Sequence, residues 1–127
     1  MENISVGKSF ELYLDTLSQC GEETLKLADI EVEHLILEEF IIGATAFFSK
    51  YTLERLEENG IIDAEISEKS KLLQRKIMEF DGTELWNVHS IRSASEWANI
   101  ILLSDEIKNK INQKWTTEEI EYLYSIS

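Results

Sequence analysis

EVEHLILEEFIIGATAFFSKY, residues 31–51, decides the fold. Its apolar residues recur three and four apart, and proline, the strongest helix breaker, is absent from the whole chain. Laid out at about 100° per residue, Ile36, Leu37, Phe40, Ile41, Ala44, Phe47, Phe48 and Tyr51 occupy an arc roughly 140° wide. That arc predicts the buried face of one long helix. Glu31, His34, Glu38 and Thr45 gather opposite it as a polar stripe. Leu35, Ile42 and Ala46 lie to one side of the stripe, which predicts a second element packed there. Glu33 falls inside the apolar arc and fits only as part of a frayed first turn.

Working outward, Asp29 reads as the N-cap of this helix, and the pattern runs on toward Asn59. Gly60 then stands where a left-handed glycine ends a helix, with Ile61 and Ile62 placed to fold back on the last turn. Upstream, Phe10, Leu14 and Leu17 mark a helix over 8–20 that stops at Gly21, followed by a short helical turn at 22–27. Downstream, Leu72, Leu73, Ile77 and Phe80 mark a helix over 64–80, and FDGTE breaks it. Residues 85–91, LWNVHSI, fit either a helix or a short strand. Ser93 with Glu96 makes a capping-box pattern before EWANIILL, and a further helix covers 105–114. Thr116 with Glu119 repeats the pattern before a last helix docked through Ile120, Leu123 and Trp115. The expectation is an all-α protein, with residues 1–127 as one domain of about six or seven helices around a long central helical region.

A chain of this length buries enough surface to need no staple, and the single Cys20 allows no internal disulfide and no thiol cluster. No stretch reaches the roughly 20 apolar residues of a membrane span. The first ten residues lack the order of a signal peptide, so a cytoplasmic protein is expected. Charge says more. Twenty-five acids against twelve bases give a net charge of −13, which disfavours direct binding to nucleic acid or an anionic membrane. The excess is uneven: residues 1–40 hold ten acids and two bases. Acids in the first turn of a helix favour its dipole, which accounts for Glu31 and Glu33 but leaves Glu38 and Glu39 beyond that turn.

The usual catalytic constellations are missing, and neither an enzyme nor a bound cofactor is expected. Glu31-Val32-Glu33-His34 has the Glu-x-x-His spacing of di-iron bundles, but such sites need the motif twice, and Trp86 stands three residues before the other histidine, His89. His34 also faces away from the core, so a surface His34–Glu38 pair is expected, and no metal. Gly7-Lys8-Ser9 ends like a phosphate-binding loop, but Glu2 occupies the place of its first glycine. Cys20, at the end of an amphipathic helix, reads as a small buried or half-buried thiol.

Two exposed acidic groups therefore stand out as partner-binding candidates. One is Glu31, His34, Glu38 and Glu39. The other is Glu118, Glu121 and Tyr122 on the last helix, adjoining the first if the termini lie close; tyrosine beside carboxylates suits a lysine- and arginine-rich surface. In size, charge and helix content over its whole length, the chain resembles the acidic immunity proteins that bacteria keep against their own toxic nucleases, including those of contact-dependent inhibition systems. The likeness is one of overall character and carries no family motif. It implies a monomeric inhibitor that binds a basic toxin 1:1 and covers its nucleic-acid site with an acidic surface. A phage-encoded nuclease inhibitor would use the same physics. A structural or adaptor subunit would instead use an exposed apolar helix face near Leu35 and Ile42.

Overall fold

The computed structural model of the protein describes residues 4–127, which form an all-α single domain. Seven helical rods make up the described residues. α1 is Val6–Ser18, α2 covers residues 29–47, α3 is Lys50–Glu58, α4 is Ala64–Phe80, α5 is Val88–Ser93, α6 is Ser95–Lys114 and α7 is Thr117–Leu123, with a 3-10 turn at Thr24–Lys26. α1 packs against α2, α3 and α6, while α4 packs along α6 and touches both α2 and α3. Phe10, Tyr13, Leu17, Phe40, Phe48 and Trp97 are fully buried at the meeting of these rods.

α2 departs from the expected single helix in two ways. Between α-helical ends (Asp29–Val32 and Ile41–Phe47) it is wound as a π-helix over Glu33–Phe40. The packing supplies a reason. Val32, Ile36, Phe40, Ala44 and Phe48, every fourth residue, are all fully buried. In an α-helix such a row drifts by about 40° at each step. A π turn of about 4.4 residues slips back by a comparable angle, so the mixed rod keeps the row on the core. The same slip moves Glu33 to the edge of the apolar arc, where it is exposed.

The second departure is a break. Phe48 leaves helical geometry, and Ser49 is extended, with its Oγ accepting the Thr52 backbone N–H at 3.3 Å to cap α3. The central helix therefore does not run to Asn59. Tyr51, expected in the core, lies beyond the break and is 61% exposed.

Other boundaries moved for local reasons. Asp29 is the first helical residue of α2 and not its cap: Ala28 holds the N-cap position with no side-chain bond, its N–H donates to the Glu31 carboxylate, and the Asp29 carboxylate pairs with Arg92. α1 ends at Ser18, and Gly21 serves close approach instead: a Cβ there would meet Asp105 and Lys108 of α6. Residues 85–87 are turn and Val88–Ser93 is helix. Ser93 ends α5 by donating to the His89 carbonyl, so it caps nothing, and α6 runs unbroken through the two helices read separately. Gly60 adopts φ +73° with the Ile61 N–H on the Leu56 carbonyl, and the Thr116–Glu119 capping box closes at 3.1 and 2.8 Å, both as expected.

Two tryptophans, Trp97 buried and Trp115 partly buried, tie loops to rods through their ring N–H groups. Trp97 donates to the Leu85 carbonyl at 2.6 Å and stacks edge-on with Phe80; Trp115 donates to the Ile61 carbonyl at 2.8 Å.

Candidate functional site

The outward side of α2 is built by the same winding that buries its inner side. His34 sits between two carboxylates: Nδ1 lies 3.2 Å from Glu38 Oε1 and Nε2 lies 3.8 Å from Glu39 Oε2. Four- and five-residue spacings are reached together because π winding places the fifth residue almost as near as the fourth. The expected His34–Glu38 pair is therefore present, with Glu39 added. Glu31 is exposed, and its Oε1 accepts the Ala28 backbone N–H at 3.4 Å.

Among the described residues, no lysine or arginine lies within 4.0 Å of Glu31, Glu33, Glu38 or Glu39. Their charge is compensated by solvent and, when protonated, by His34. A field of this kind extends about one Debye length, roughly 10 Å at 0.1 M salt. The carboxylates at the start of the same region behave differently: Glu23 pairs with Lys26, and Asp29 with Arg92.

Among the described residues, no second element covers Leu35, Ile42 and Ala46 as expected. Ile42 is 66% exposed, Ala46 is exposed and Leu35 is half-buried. Ile30, 75% exposed, extends this apolar strip to the start of the rod and borders a shallow hollow shared with Glu31, His34 and Leu35. Sequence reasoning gave the carboxylates but missed Ile30; its neighbours Asp29 and Glu31, both polar, were the available signal.

Arg92 fixes this surface to the rest of the molecule. Its Nε meets Asp29 Oδ1 at 2.9 Å, and its two terminal nitrogens donate to the Leu25 and Leu27 carbonyls at 2.7 and 2.9 Å. One guanidinium from α5 thus holds the 3-10 turn and the first residue of α2 in a single fork.

Glu118, Glu121 and Tyr122 are all exposed, Tyr122 at 69%. The first and last rods do meet: the Gly7 N–H donates to the Ile126 carbonyl at 3.0 Å, and Tyr124 packs on Phe10. This does not join the two acidic groups. α2 crosses α1 near Thr16, where Gly43 abuts it, whereas α7 sits over Gly7, about 13 Å away along α1. The rod then carries Glu31–Glu39 farther from α7. Two separate surfaces result.

Among the described residues no three His, Cys, Asp or Glu side chains come together as metal ligands, and no helix is long and apolar enough to cross a membrane. Cys20 is fully buried; burial pushes its thiol from 9.0 up to about 12, with Lys108 opposing and Asp105 adding. No family model matches the chain, and neither the curated proteins nor the solved structures provide a match.

Proposed function

We propose that this protein is a stoichiometric inhibitor of the immunity type, binding a basic toxin, a nuclease in the first instance, through the outer side of α2. One observation carries the reading: among the described residues, Glu31, Glu38 and Glu39 stand exposed without a lysine or arginine partner, beside the exposed Ile30 and Ile42. The carboxylates attract a cationic surface and raise the capture rate, by roughly 10- to 1,000-fold for fields of this kind. The isoleucines bury apolar area once contact is made, and so slow dissociation. Carboxylates spaced along a rigid rod meet the cations that a nuclease uses for phosphates, and occupying those cations blocks its substrate.

The test is retention of a basic nuclease from source-cell lysate at low salt, followed by titration of its cleavage activity. Inhibition complete at one equivalent is expected. The Glu38→Lys/Glu39→Lys variant should associate at least about tenfold more slowly at low salt while keeping its helical spectrum. Unchanged association kinetics would remove this surface from the mechanism.

A second reading, an adaptor that self-associates, draws on the uncovered strip of Leu35, Ile42 and Ala46. It predicts a homodimer whose sedimentation is insensitive to salt, where the inhibitor predicts a monomer.

A further inference from the structure

Away from the acidic side, α1, α2 and α3 enclose a groove of about 360 Å³. Leu12, Ala46, Phe47 and the ring of Tyr51 form its apolar walls, and the hydroxyls of Ser9 and Thr52, both residues buried, belong to its polar part. Arg55 closes one side, its Nη1 donating to Ser9 Oγ at 3.1 Å.

The unusual feature is what Arg55 lacks. Eight of the twelve lysines and arginines have a carboxylate within 4.0 Å, yet Arg55, half-buried in a protein rich in acids, has none among the described residues. Of the other three cations without such a partner, Arg75 is exposed, Lys114 lies over the Trp115 ring, and Lys76 is half-buried but lines no part of this groove. A guanidinium is desolvated in part here and uses one of its five donors on a neutral hydroxyl. Its remaining donors match a planar carboxylate two at a time.

From this geometry we infer a ligand site for a small free carboxylic acid with an apolar body, of the medium-chain or aryl class. The carboxylate takes the Arg55 fork with Ser9 beside it, and the body lies between Phe47, Leu12 and Tyr51. The volume is at the small end of ligand pockets, which excludes long-chain lipids. Because the net charge repels anions at a distance, recognition operates at contact range. Moderate salt should therefore leave the affinity unchanged or raise it, opposite to the effect expected for a basic partner on α2. The inference is independent of the inhibitor reading and shares with the outward side of α2 only Ala46, at the end of its apolar strip.

The experiment is a two-dimensional amide NMR titration of the full chain with octanoate, 1-octanol, and a short peptide as free acid and as amide. Saturable 1:1 shifts centred on Ser9, Phe47, Thr52 and Arg55 are expected for octanoate, with 1-octanol at least about tenfold weaker. Arg55→Gln should weaken octanoate by a similar factor. Should that variant fail to fold, Ala46→Trp fills the groove while keeping Arg55 and should abolish the shifts. Equal binding of 1-octanol, unsaturating shifts, or octanoate affinity unaffected by both variants would overturn the site. Tighter binding of the free-acid peptide than of octanoate would overturn the assignment to small acids and give the groove to a chain end.

Discussion

At the scale of single residues, the close contact of Gly43 with Thr16 sets how near α2 comes to α1. A Cβ on Gly43 would overlap Thr16 Oγ1, which is itself held by the Leu12 carbonyl at 2.9 Å. Alanine in a helix is favoured over glycine by about 1 kcal/mol, whereas overpacking costs about 1–3 kcal/mol. Packing should win, so Gly43→Ala lowers stability in urea unfolding, and adding Thr16→Ala recovers part of the loss. A stabilised Gly43→Ala protein would contradict the contact. Cys20 gives a pH signature. Its thiol stays protonated in the folded state up to about 12 but ionises near 9.0 once unfolded. The folded state then holds the extra proton, so stability is complete below pH 9 and falls as pH rises, by up to about 1.4 kcal/mol per unit. Tyr13, raised by burial, adds the same sign above pH 10. Comparing urea unfolding of Cys20→Ala and the unaltered protein from pH 8 upward should show a shallower fall in the variant.

Among elements, the 3-10 turn and the start of α2 rest on one side chain. Arg92→Ala removes three charge-assisted hydrogen bonds, two of them to backbone carbonyls. Net loss of about 1–2 kcal/mol is expected, since the freed carbonyls reach water. The more telling readout is local: amide hydrogen exchange over residues 25–32 should speed up while α4 and α6 keep their protection. Unaltered exchange there would mean the fork does not hold the rod. The π segment belongs to this scale as well. A four-residue row of large side chains was visible in the sequence, but a 100° projection is blind to changes of winding and so left Glu33 inside the apolar arc, to be accounted for only by a frayed first turn. The break at Ser49 was missed for a related reason. Serine is a helix-capping residue, but Phe47, Phe48 and Tyr51 continued the apolar pattern across it.

For the molecule as a whole, charge and packing oppose each other. A net charge of −13 on 127 residues leaves carboxylates on α2, α3 and α7 without a cationic partner among the described residues, and their repulsion is relieved in part on unfolding. Raising salt from roughly 0.02 to roughly 0.5 M shortens the Debye length several-fold and should raise Tm by about 3–6 °C if it recovers about 1 kcal/mol. A flat or falling Tm over that range would show that the charges are compensated in the fold.

The sequence by itself determined the helical class, both ends of α4, the Gly60 and Thr116 caps, and the exposure of Glu31, His34, Glu38 and Glu39. These follow from spacing, local capping and polarity, which act within a few residues. Tertiary structure alone decided that Glu118 and Glu121 lie apart from the first acidic group, that Arg92 clamps α2, and that, among the described residues, Leu35 and Ile42 remain uncovered and Arg55 has no carboxylate partner. Each depends on which rods meet across the fold, and α1, α2 and α6 meet through buried side chains far apart in sequence.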